Sequence, residues 1–218
     1  MKVTTDACLF GALVDASGVE HILDIGTGTG LLALMLAQRS PAVIDAVELN
    51  EAVAAEAAAN FAASPWADRL QLHQQDIADF QPPAPYDLIV SNPPFFSGHS
   101  SYEDKARDQA MNTAYLPFAT LSKFVKRWLS PKGKAWVLLP DHEAGMFHAV
   151  AAKEQLHAQE EITIRNYEGG AVFRRVIAYG HQQKIPLQER DLVIYAEPVA
   201  ASYTAAFTQL LAPYYLYL

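Results

Sequence analysis

Cysteine is almost missing from this chain. Cys8 stands alone, which excludes an intramolecular disulfide and any cysteine-built metal cluster and fits a reducing compartment. Flanked by Ala7, Leu9 and Phe10, a lone thiol reads as a small buried apolar residue rather than a nucleophile. Long apolar runs are missing too: none reaches the roughly eighteen residues needed to cross a bilayer. The opening Met1-Lys2-Val3-Thr4-Thr5-Asp6 also lacks the basic-then-apolar order of a signal peptide. A soluble, cytoplasmic protein with no membrane association is the expectation. The histidines, His73, His99, His142 and His148 among them, show no spacing that demands a metal, so none is expected. Basic residues are scarce at the start: residues 1–100 carry 3 basic and 12 acidic side chains, residues 101–218 carry 13 and 12. A net charge of −8 argues against wholesale coating of nucleic acid, because non-specific binding is mostly phosphate neutralisation. Lys123, Lys126, Arg127, Lys132 and Lys134 nevertheless fall together without an intervening acid, and Arg174 with Arg175 form a second small cluster. Each reads either as a solvated face or as a phosphate-contacting patch.

What is present is apolar residue in quantity: 51% of 218 residues, enough for one substantial core and read here as a single domain over 1–218. Apolar runs at Ile22–Ile25, Val43–Glu48, Leu70–His73, Tyr86–Ser91 and Ala135–Leu139 alternate with helix-like stretches at Leu31–Gln38, Glu51–Ala63 and near Tyr115–Leu129. That rhythm implies parallel strands with crossover helices, a doubly wound α/β sheet. From Glu160 it changes to Ile162–Arg165, a Glu168-Gly169-Gly170 turn and Val172–Tyr179, which reads as a terminal antiparallel hairpin. The expectation is a seven-stranded mixed sheet. The polar stretch 95–112 is far longer than an ordinary connection and is a candidate lid or substrate loop. The tyrosine-rich tail from Tyr203 reads as a short helix packed on the core, with base stacking as the alternative.

Asp24-Ile25-Gly26-Thr27-Gly28-Thr29-Gly30 follows the first strand and opens the first long helix, where glycines let the backbone turn sharply and approach a ligand. A dinucleotide fingerprint would place its third glycine three positions after Gly28, yet that position is Leu31, which disfavours a nicotinamide cofactor. Asp-x-Gly-x-Gly-x-Gly resembles the first motif of class I S-adenosylmethionine methyltransferases. The next strand ends in Glu48, twenty residues beyond Gly28, where an acid can accept both ribose hydroxyls. The resemblance implies S-adenosyl-L-methionine as cofactor, Asp24 against its methionine amino group and Asp76, at the third strand's end, against its adenine. Asp76 also reads as a helix N-cap.

Ser91-Asn92-Pro93-Pro94-Phe95 follows the strand Asp87-Leu88-Ile89-Val90, at the carboxyl edge of the sheet beside the cofactor crevice. An amine conjugated to a purine or amide is a poor nucleophile, and acceptors aimed at its hydrogens favour the pyramidal form that attacks carbon. Asn92 supplies a side-chain oxygen, the carbonyl of Pro93 a second acceptor, and Phe95 a ring on which a planar substrate stacks. A proline-stiffened loop whose phenylalanines plug the core is the plainer alternative. The tetrapeptide Asn92-Pro93-Pro94-Phe95 resembles the signature of methyltransferases acting on adenine N6, guanine N2 and glutamine side chains.

The opening Lys2-Val3-Thr4-Thr5-Asp6-Ala7-Cys8-Leu9-Phe10-Gly11-Ala12 is similar to that of the bacterial tRNA adenine-N6 methyltransferases that modify the valine tRNA base next to the anticodon. With Asp24 to Gly30, Glu48, Asp76 and Asn92 to Phe95, the resemblance spans nearly the whole chain. It implies a Rossmann-like class I methyltransferase acting on tRNA, with Thr5 and Asp6 contacting the cofactor's methionine part; both also read as caps of the first helix. A monomer is expected. The family's basic stretch after the loop is reduced here to Arg107, and threonine replaces glycine at position 4. Alternatives are a guanine-N2 ribosomal RNA enzyme, a protein-glutamine enzyme, or a non-catalytic protein on the same fold. Glutamine enzymes usually have a helical domain ahead of the first motif, for which about twenty residues leave no room here.

Overall fold

The computed structural model describes residues 3–94, 117–197 and 202–217. The sequence readings at Phe95, within 95–112 and at Arg107 lie outside them. Helices α1 (Thr5–Leu13), α2 (Leu31–Arg39), α3 (Glu51–Ala62), α4 (Phe118–Trp128), α5 (Asp141–Lys153) and α6 (Ala205–Leu211) surround a single sheet. Its strands are β1 (His21–Ile25), β2 (Val43–Glu48), β3 (Leu70–Gln74), β4 (Tyr86–Ser91), β5 (Leu129–Leu139), β6 (His157–Arg165), β7 (Val172–Gly180) and β8 (Gln188–Val193), in the order β3-β2-β1-β4-β5-β7-β6-β8. The first five run parallel; β7 enters antiparallel beside β5 and forms the expected hairpin with β6.

The doubly wound mixed sheet has eight strands rather than the seven expected. The extra one, β8, adds in parallel to β6 at the edge. Gln188-Glu189-Arg190-Asp191 are exposed, so the alternation that announces a strand is absent and only Leu192 is buried. The helix α5 lacks a sharp polar face to mark it, and β5 starts six residues earlier than Ala135, through Pro131 and Gly133, residue types that weaken a strand pattern.

Period-2 alternation distributes the strands' side chains between two cores. Ile22, Ile44, Leu88, Val90, Trp136, Leu138, Val176 and Ala178 pack with α1, α2 and α6 on one face. Leu23, Ile25, Val47, Ile89, Ala135, Val137, Ile177 and Tyr179 pack with α4 and α5 on the other. Both faces being covered, β1, β4 and the second half of β5 read as nearly continuous apolar runs, which is why those strands are visible in the sequence, whereas β3, at the sheet edge, alternates. Among the described residues no helix is long and apolar enough to cross a membrane.

Candidate functional site

The carboxyl ends of β1, β2, β3 and β4 and the first turn of α1 enclose a cavity of about 880 Å³. Reversal of strand order between β1 and β4 creates such a crevice, because the helices following the two strands leave on opposite faces. Gly26, Thr27 and Gly28 form its floor. The amides of Gly26 and Thr27 both donate to the carbonyl of Val47, at 2.9 and 3.1 Å, pinning the turn to the end of β2. Gly26 and Gly28 have φ of 70° and 60°, a region that favours glycine. Glu48 closes the side wall, one carboxylate oxygen accepting from the Gly28 amide at 3.0 Å and the other from the Asn50 amide at 2.9 Å. This grip fixes the acid against the turn that precedes α2.

Two members of the glycine motif lie off the cavity wall. Gly30 caps α2 with φ of 87°, and a Cβ there would meet Phe61 Cε1 at 2.4 Å, so this glycine admits the α3 ring. Asp24 is fully buried beneath the turn, with one oxygen accepting from Thr27 Oγ1 at 2.6 Å and the other without a partner among the described residues. Burial pushes its carboxyl up to about 7; Thr27 and the Ala33 amide pull it down, and the Glu48 charge raises it. Thr5, exposed at the start of α1, is likewise off the wall, while Thr4 and Asp6 line it.

Asp76 lines the opposite end and accepts from the Ala78 amide at 2.8 Å, capping a turn rather than a helix. Asn92, Pro93 and Pro94 line the cavity where β4 ends. Ser91 Oγ donates to the Ile25 carbonyl at 3.0 Å, tying that end to β1, and Asn92 Oδ1 is buried with no partner among the described residues. An acceptor held dry without a donor carries a desolvation cost that a ligand N–H would relieve.

Arg174 also lines the cavity. Near the start of β7, it projects from the strand that returns beside the end of β5, and its Nε donates to Asp6 Oδ2 at 2.9 Å. The sequence marked it only as half of an Arg-Arg pair; the signal for its position was the hairpin, whose antiparallel return carries its first residues to the edge of the sheet that bears the cavity. No member of the Lys123–Lys134 cluster, in contrast, lines the cavity. The helix α4 leaves the cavity at Pro117 and Thr120, and its chain enters β5 at Leu129, paired with Tyr86 at the beginning of β4. Lys134 there bridges Glu160 at 3.6 Å.

Residues 6–116 match the model of the methyltransferase small domain family. A tRNA1(Val) (adenine(37)-N6)-methyltransferase of Bacteroides thetaiotaomicron is 37% identical over 100% of this chain and 92% of its own length. Those of Yersinia pseudotuberculosis and Pectobacterium carotovorum are 39% identical, over 99% and 100% of this chain and 86% and 88% of theirs. Among solved structures, a predicted O-methyltransferase from Agrobacterium tumefaciens superposes with a TM-score of 0.72 at 17% identity, covering 94% of this chain and 95% of that one. The glycopeptide N-methyltransferase MtfA complexed with S-adenosyl-L-methionine gives 0.60 at 13% identity, over 82% and 93%. These two share the fold, a Rossmann-like class I methyltransferase sheet. With the family model spanning half of it and relatives aligned along all of it, the chain belongs to the methyltransferase small domain family, among its tRNA1(Val) (adenine(37)-N6)-methyltransferase members.

Proposed function

We propose that this protein transfers the methyl group of S-adenosyl-L-methionine to the exocyclic N6 of an adenine in tRNA, with adenine 37 of tRNA1(Val), for which its relatives are named, as the acceptor. In this proposal residues 1–218 act as one domain, as a monomer and in the cytoplasm. The observation that carries the reading is the buried, unpartnered Oδ1 of Asn92 at the cavity wall.

The residues fit the cofactor. A volume of about 880 Å³ has room for a nucleoside-sized ligand together with a base. Glu48, held by two backbone amides, presents its acid where ribose hydroxyls would reach it, Gly26 and Gly28 keep the floor free of side chains, and Asp76 stands at the adenine end. Asp24 serves from below: with no surface on the cavity, it holds Thr27 and hence the turn. When bound, S-adenosylmethionine supplies a sulfonium methyl that needs no further activation. The protein's task is then orientation in a dry site. Asn92 Oδ1 accepts one amine hydrogen of the adenine, the Pro93 carbonyl accepts the other, and the Pro93-Pro94 pair stiffens the segment that carries both. Phe95 offers the stacking ring.

Replacing Asn92 with alanine removes an acceptor that only the reacting amine requires. The variant should bind S-adenosylhomocysteine within about threefold of the parent and lose about a hundredfold or more in turnover, the usual cost of one orienting group. Normal turnover in Asn92→Ala would overturn the assignment.

A further inference from the structure

We infer that Arg174 recognises the carboxylate of the cofactor's methionine portion, with Asp6 fixing its guanidinium; the inference rests on the cofactor reading above. S-adenosylmethionine carries one carboxylate, and a carboxylate leaving water requires a cationic or N–H partner. Among the described residues lining the cavity, Asp6, Glu48 and Asp76 are acids and Arg174 is the only base. Glu48 and Asp76 occupy the β2 and β3 ends, where the adenosine portion fits, and Asn92 marks the point at which the methyl must arrive. The volume left for the amino-acid portion is bounded by the first turn of α1, through Thr4, Asp6 and Ala7, and by Arg174. The start of a helix adds a favourable field for an anion there.

The guanidinium is held before any ligand arrives. Its Nε donates to Asp6 Oδ2 at 2.9 Å, one terminal nitrogen donates to the Phe173 carbonyl at 2.8 Å, and its Cζ lies 4.2 Å from the Phe173 ring centre. Asp6 is fixed in turn by the Ala7 amide, 3.0 Å from its other oxygen, and the pair is largely buried, with 21% and 11% of the two side chains exposed. A planar fork fixed by its neighbours loses little freedom on meeting a carboxylate.

Calorimetry with three ligands tests this: S-adenosylmethionine, its decarboxylated analogue, and 5′-methylthioadenosine, which lacks the amino-acid portion. The parent protein should prefer S-adenosylmethionine to the decarboxylated analogue by about tenfold or more, the scale of a charge-assisted hydrogen bond. Arg174→Gln should erase that preference and leave 5′-methylthioadenosine affinity unchanged, while Arg174→Lys should retain part of it. An undiminished preference in Arg174→Gln overturns the inference and leaves the cofactor reading standing. So does an equal loss for all three ligands, which would make the arginine a fastener for α1. A variant with normal cofactor affinity and a raised KM for tRNA also overturns it, moving the guanidinium to an acceptor phosphate. No binding of S-adenosylmethionine by the parent removes the cofactor reading itself, and the inference with it.

Discussion

Gly26 and Gly30 are indistinguishable in the motif, yet the structure gives them different work, and alanine at each should separate the two. At Gly30 the penalty has two parts. A φ of 87° costs an L-residue about 1–2 kcal/mol, and a Cβ 2.4 Å from Phe61 Cε1 forces the buried ring aside, which in a packed core costs about 1–3 kcal/mol. The total, about 2–5 kcal/mol, falls on folding, because Gly30 does not line the cavity. At Gly26 the φ of 70° carries the same backbone cost, but an added Cβ meets nothing within 4 Å. Gly26→Ala should therefore destabilise by only about 1–2 kcal/mol, while its methyl group occupies the floor on which the cofactor rests. Urea midpoints at constant m-value measure the first quantity, and titration with S-adenosylhomocysteine measures the second. The expected result is a crossing: Gly30→Ala unstable but, where folded, binding within about threefold of the parent, Gly26→Ala stable but binding about tenfold or more weaker. Equal stability losses, or a Gly30→Ala variant that folds normally and fails to bind, would refute the division of labour.

Two further perturbations test the electrostatics. Asp24 titrates near 7 in the folded protein and about 3.9 when unfolded, so between those values the native state holds a proton that the unfolded chain has lost. Unliganded stability should therefore decline as pH rises from about 4 to about 7 and level off above; Asp24→Asn, compared with the parent by urea titration across that range, should lack this decline, and parallel curves would contradict it. Glu161 has the opposite sign: its hydrogen bonds to His148 and Arg175 hold its carboxyl below the usual range against the opposing effect of burial. Its stabilisation is present above the ordinary glutamate value and is lost as pH falls through the depressed folded one. Glu161→Gln should cost about 1–3 kcal/mol near neutrality and shrink that acid-side loss; unchanged midpoints would show that the Asp141–Arg175–Glu161 array contributes no net stability.

The first half of the chain was legible because its chemistry is local. Asp24, Gly26 and Gly28 lie on one turn, Glu48 lies one strand along, and Asn92 ends a strand buried on both faces, so spacing alone placed them on one edge. What escaped was set by tertiary contact. Gly30 differs from Gly26 only through Phe61, thirty-one residues away. Asp24 lies under the cavity and not on it, a matter of which face of β1 points at α2. Asp6 and Arg174 are separated by 168 positions and joined only when β7 returns antiparallel. The edge strand β8 buries too little to leave a pattern. The Lys123–Lys134 cluster, which reads in sequence either as a solvated face or as a phosphate-contacting patch, lines no part of the cavity.

Transfer of labelled methyl from S-adenosylmethionine into bacterial tRNA lacking the modification, followed by nucleoside analysis, tests the central claim most directly. Label recovered as N6-methyladenosine, dependent on Asn92, is the predicted result. Label recovered as N2-methylguanosine, or none in RNA from a protein that binds the cofactor, would contradict the assignment of adenine N6 as the acceptor.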